Sequence, residues 1–163
     1  MTTQTLDSAA LAAAGMNPQV LNSPLLWAGV LSAAAALMHL ACIVGGPAWY
    51  RYFGAGERMA QMAAAGQGWP ALLTLGITVV LLVWSGYALG ASGYVPALRA
   101  LPWMGAALLA ITAIYLLRAV LLLPVWWFKP ELVDSFALWS SVVCGVFGAV
   151  HAWGLWLWWG GAR

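Results

Sequence analysis

The chain has 163 residues, of which 64% are hydrophobic and 6% charged, with a net charge of +2 and a mean hydropathy of +0.90. A soluble domain carries about 25% charged residues, so this composition excludes a water-covered globule and points to a surface that meets lipid. The six cations are scattered rather than clustered, which excludes nucleic acid as a partner.

In chain order, residues 1–24 read as an N-terminal tail. Within it Asp7 or Ser8 would cap a short helix over Leu11 to Ala14, ended by Gly15 and Pro18. Residues 25–163 read as a single membrane domain with spans at about 25–46, 70–90, 103–123 and 136–159. Each span exceeds the roughly 20 residues needed to cross ~30 Å of hydrocarbon. Prolines mark the ends: Pro24 opens the first span, Pro70 lies in the first turn of the second, and Pro102 and Pro124 flank the third. The fold class is therefore all-α, an up-down four-helix transmembrane bundle with both ends of the domain on one side. Between the first two spans, Glu57–Ala65 reads as a short interfacial helix. Glu57 sits in its first turn, where the dipole favours an anion, and Gly66 stops it.

We call the face at which the first span begins side A and the opposite face side B. Trp27, Tyr87, Tyr94, Trp103, Trp156, Trp158 and Trp159 fall near side A. Trp49, Tyr50, Trp69, Trp126, Trp127 and Trp139 fall near side B. Two such girdles are what amphipathic rings form at the two interfaces. Arg51, Arg58 and Lys129 on side B outnumber Arg99 and Arg163 on side A, so the positive-inside rule points to side B as cytoplasmic.

Each span carries a stripe of small or polar residues at helical spacing: Ser32, Ala36, His39 and Cys42; Thr74, Thr78 and Ser85; Thr112, Tyr115 and Arg118; Ser141, Cys144, Gly148 and His151. Small faces allow close helix approach where water provides no driving force. Cys42 and Cys144 show no CxxC or Cys/His spacing and read as free thiols.

Arg118 is the one formal charge inside the four spans. A charge at a helix centre costs about 2.5–3.5 kcal/mol on insertion scales, less when the side chain snorkels to the interface. Depth matching selects its neighbours. Arg118 lies near the side-B end of its helix, His39 near the side-B end of the first, and Ser140 and Ser141 enter at similar depth on the fourth. Arg51 and Glu57 reach the same face through the first loop. The expected binding site is thus one side-B cluster of His39, Arg51, Glu57, Arg118, Ser140 and Ser141. It carries two arginines against one glutamate and suits a carboxylate, a phosphate or a lipid headgroup. The competing structural arrangement is an Arg118–Glu57 pair that pins the loop to the bundle.

No resident cofactor or metal is expected. The alternative, a b-type haem between His39 and His151, suffers from unequal depth. The two histidines lie about 14 and about 8 residues from side A, roughly 9 Å apart along the normal at ~1.5 Å per residue. No zinc spacing, P-loop, HExxH or Ser/His/Asp set occurs. Gly54-Ala55-Gly56 reads as a turn, and Glu131 and Asp134 as solvated loop acids.

The segment His39–Ala60, HLACIVGGPAWYRYFGAGERMA, followed by WPALLTLGITVVLLVWSGYALG and YLLRAV, resembles a family of small bacterial four-span integral membrane proteins. The likeness covers about residues 27–155 and rests on the pattern GGPxWYRxFGAGE. It implies four-span topology and a multi-pass location in a bacterial inner membrane, and it implies no activity. The expected role is a non-enzymatic membrane protein that binds an anionic or amphipathic small molecule or a lipid headgroup. Two alternatives stand beside it: an accessory or assembly subunit docked to a membrane partner or a second copy, and an enzyme on a lipid-soluble substrate with His39 and Glu57 as acid–base groups.

Overall fold

The computed structural model describes residues 24–161. The expected tail helix at Leu11–Ala14 and the side-A charge Arg163 lie outside them. The described chain is all-helical, with α1 (Pro24–Tyr52), α2 (Glu57–Ala64), α3 (Trp69–Ser92), α4 (Met104–Val120), α5 (Leu122–Phe128) and α6 (Ser135–Gly161). Single 3₁₀ turns occur at Pro96–Leu98 and Pro130–Leu132. Four segments are long and apolar enough to span a membrane: Pro24–Tyr52, Trp69–Ser92, Met104–Phe128 and Ser135–Gly160. Only 17–28% of each apolar window is buried inside the chain. The remaining apolar surface has no protein cover and requires lipid, which makes the chain a multi-pass membrane protein.

Helix α1 packs most extensively against α3, and α4 against α6, while α1–α6 and α3–α4 contacts close the ring. Close approaches seat the pairs. A Cβ on Gly148 would lie 2.6 Å from Leu116 Cδ2, and one on Gly154 would lie 2.6 Å from Leu25 Cγ. Glycine at these two points lets α6 touch α4 and α1 at near-backbone distance. Three apolar layers fill the interior. Leu25, Leu108 and Leu155 form the side-A layer; Ala36, Leu81, Ile111 and Tyr115 the central one; Cys42, Tyr50 and Ala60 the side-B one, beneath α2.

Two boundaries differ from the sequence expectation. The first helix continues past Gly46, where φ 64 and ψ −150 break the helical path, and resumes with Pro47 through Tyr52. Proline is tolerated there because the first turn of a restarted helix needs no N–H donor. The third span also continues past Pro124. Leu121 ends α4 and α5 begins at Leu122, so Pro124 again sits in a first turn. Trp126, Trp127 and Phe128 on α5 are exposed.

The short helix matches its expected start, and Gly66 stops it as expected. Gly66 (φ 72) donates to Ala63 O and Gln67 donates to Met62 O, at 3.0 Å each, which is a Schellman closure. Asp134 is no free loop acid: its Oδ1 accepts from Ala137 N at 2.7 Å and caps the start of α6. Tyr50 departs from its assigned belt. It is 3% exposed, covered by α2.

Candidate functional site

The polar stripes meet in different ways. Thr74, Thr78 and Thr112 are buried, and each hydroxyl donates to the carbonyl four residues earlier, on Pro70, Thr74 and Leu108. Those bonds commit the one donor of each threonine within its own helix. Ser85 instead donates across to Gly29 O at 2.8 Å and ties α3 to α1. At the centre, Ser32 Oγ and Tyr115 Oη lie 3.1 Å apart. The Tyr115 ring is packed among Trp84, Phe147 and His151, with centroids 4.9, 5.5 and 5.1 Å away.

The expected side-B cluster is distributed over three places. Arg51 pairs with Glu57 through Nε–Oε2 at 2.9 Å and Nη2–Oε1 at 3.0 Å, and Gln61 Nε2 donates to the same carboxylate at 3.3 Å. Gly54 (φ 66) and Gly56 (φ 95) turn the chain back so that Glu57 reaches Arg51, six residues away. The Glu57 carboxylate is thereby taken by Arg51, and the Arg118–Glu57 pair is not formed. The Arg51 guanidinium holds the Glu57 carboxyl below its ordinary pKa. His39 is half-buried and its Nδ1 lies 2.7 Å from Ala35 O, within its own helix.

Arg118 and the two serines do come together. Nη1 donates to Ser141 Oγ at 3.2 Å and Nη2 to Ser140 Oγ at 3.1 Å. Ser140 Oγ in turn donates to Ala137 O. Ser141 is buried between the helices, while Arg118 is exposed on the outer surface of the bundle. Among the described residues the ion pair is Arg51–Glu57, and no carboxylate pairs with Arg118. A guanidinium has five donors; two go to neutral hydroxyls here. The arrangement is a fixed cation on the lipid-facing side, two residues from the end of α4.

His151 closes the polar stripe of the fourth span. It is fully buried, its Nδ1 lies 2.8 Å from Phe147 O, and its Nε2 has no partner. Tyr50 Oη is the other buried side-chain atom without a partner among the described residues. Both cysteines are free thiols, as expected, and no cluster of three His, Cys, Asp or Glu residues able to hold a metal occurs among the described residues.

The sequence matches no family model and no curated protein, and the fold matches no solved structure.

Proposed function

We propose that this is a non-enzymatic multi-pass membrane protein that binds an anionic or amphipathic ligand, a lipid headgroup above all, at Arg118, Ser140 and Ser141. The observation that carries this reading is the Arg118 guanidinium: exposed to lipid and bonded only to hydroxyls that leave its charge unneutralised. A cation in that position is stabilised by a phosphate or carboxylate, whose oxygens accept the remaining N–H groups in charge-assisted bonds. The serine hydroxyls set the orientation of the guanidinium plane and hold the side chain against α6. The resemblance to small bacterial four-span proteins supports a bacterial inner membrane, where anionic lipids supply such oxygens.

Native mass spectrometry of the full chain released from mild detergent with phosphatidylglycerol tests this. A reproducible lipid adduct is expected, and Arg118→Gln is expected to reduce it about tenfold, the equivalent of one charge-assisted bond. An adduct that is unchanged in Arg118→Gln overturns the reading. In that event a stoichiometric protein partner, retained by the variant, would support the accessory-subunit alternative.

A further inference from the structure

A second polar feature lies at the opposite face. The last turn of α3 and the start of α4 bound a cleft of about 340 Å³ at side A, lined by Gly90, Ala91, Ser92, Arg99, Met104 and Trp158. The chain builds it by folding the loop after α3 back on the helix. Gly90 permits this, because a Cβ there would lie 2.5 Å from Leu98 O. Gly93 (φ 78) closes the helix, and Arg99 Nη2 donates to Gly93 O at 3.0 Å. That bond uses one of five guanidinium donors, and Arg99 is otherwise exposed without a protein partner among the described residues.

The other wall has the opposite polarity. Ala91 and Ser92 supply two of the last four carbonyls of α3, and among the described residues neither carbonyl accepts a hydrogen bond. They carry the negative end of the helix dipole. Arg99 and the two residues at the bare end of α3, Ala91 and Ser92, thus line one cleft, together with Trp158 and Met104, which also pack on the Leu25–Leu108–Leu155 layer. A simple anion would meet repulsion from the helix end, and a simple cation would meet repulsion from Arg99. A zwitterion satisfies both.

We propose that this cleft binds a phosphoethanolamine headgroup of a membrane lipid, with its phosphate on Arg99 and its ammonium on the carbonyls of Ala91 and Ser92. The acyl chains leave past Trp158 and Met104 into the hydrocarbon. The ammonium must donate N–H bonds to those carbonyls, so a trimethylated headgroup of the same charge is a poor substitute.

The test is the ratio of phosphatidylethanolamine to phosphatidylcholine adducts on the full chain in mild detergent, read by native mass spectrometry at equal lipid concentration. The expected ratio for the wild type is at least fivefold, a comparison that needs no variant. Arg99→Gln is expected to lower the phosphatidylethanolamine adduct about fivefold by removing the phosphate contact, whereas Arg58→Gln, on the other face, leaves it unchanged. Equal adducts of the two lipids on the wild type, or an unchanged phosphatidylethanolamine adduct in Arg99→Gln, would overturn the proposal. Soluble phosphoethanolamine is expected to bind far more weakly than the lipid; equal binding would make the occupant a free solute and overturn the lipid assignment. The preference between the two lipids arises at the Ala91 and Ser92 carbonyls and not at Arg118, which meets only the phosphate that both lipids share, so this proposal and the side-B reading fail independently.

Discussion

Tyr115 Oη lies 3.1 Å from Ser32 Oγ, although the two residues are 83 positions apart. They belong to α4 and α1, which face one another across the bundle: α1 packs chiefly on α3 and α6, and so does α4. The tyrosine thus crosses the bundle axis and joins the two helices that otherwise touch least. Its ring is also the hub on which Trp84, Phe147 and His151 converge.

Tyr115→Phe keeps that ring and removes the hydroxyl, leaving Ser32 Oγ fully buried without a partner. An orphaned buried group costs about 1–3 kcal/mol, and interhelical bonds in membranes fall in the lower part of that span. Ser32→Ala should cost a similar amount. The double variant should cost less than the sum of the two, because each single change already breaks the same bond. Detergent unfolding of the four proteins measures the cycle. Strict additivity would mean that the two hydroxyls do not interact.

The Arg51–Glu57 pair makes the α1–α2 turn pH-sensitive. Arg51 lowers the Glu57 carboxyl from its ordinary value, so the ionised form is favoured in the folded turn. The stabilisation is present above the free glutamate value of about 4.3 and disappears as pH falls through the lower folded value. The protection of amides over residues 53–60, measured against the intrinsic exchange rate at each pH, should therefore be higher at neutral pH and fall at acid pH. In Glu57→Gln that pH-dependent loss of protection should vanish. Its persistence in the variant would assign the effect to another group. Both side chains are largely exposed, so the expected change is local to the turn and leaves global stability nearly unaltered.

Much of this architecture was legible in the residues, and the exceptions share a cause. Four apolar runs locate the spans because hydropathy is a property of the segment alone. Gly66 locates the end of α2 because its left-handed conformation is a local requirement. Pro124 misled as a terminator, because it sits in the first turn of α5, which follows α4 through the helical Leu121, just as Pro47 restarts the first helix after Gly46. Composition cannot tell a proline that ends a helix from one that begins the next. Arg118 with Ser140 and Ser141 followed from depth, since three groups at one level on two adjacent helices have few other partners. Glu57 did not follow, because its partner is set by turn geometry. The Ser32–Tyr115 bond depends on how the helices rotate about their axes, and the Arg99 cleft on a loop folding back. Neither quantity is carried by hydropathy or spacing.

Two glycines on different helices should respond in opposite directions to the same change. At Gly148 a new Cβ would lie 2.6 Å from Leu116 Cδ2 and 3.1 Å from the Leu116 backbone nitrogen. Gly148→Ala must push α6 away from α4, with a cost of about 1–3 kcal/mol for overpacking. At Gly76, in the middle of α3, nothing lies within 4 Å. Gly76→Ala should be neutral or stabilise by about 0.5–1 kcal/mol through the reduced freedom of the unfolded chain. Melting temperatures in detergent compare the two directly. Equal effects would contradict the close α4–α6 approach.

His151 offers the last test, because two accounts of it predict different signs. If the ring is only a packing element, its partnerless Nε2 is a burden that the bundle carries. The Nδ1 bond to Phe147 O is dispensable, since that carbonyl also accepts the backbone N–H one turn on. His151→Phe then keeps a flat ring against Tyr115, removes a buried orphan, and should leave the melting temperature unchanged or raise it by the equivalent of up to about 1 kcal/mol. If instead Nε2 is a ligand atom, the bond from Nδ1 to a carbonyl is the support that ligating histidines use, and His39 with its Ala35 bond has the same form. In that case His151→Phe should lower the melting temperature and abolish a haem absorption band that the purified wild-type protein would display. One absorption spectrum and two melting curves separate the accounts. The packed central layer, with Ile111 3% and Tyr115 5% exposed and rings at contact distance around Tyr115, favours the first.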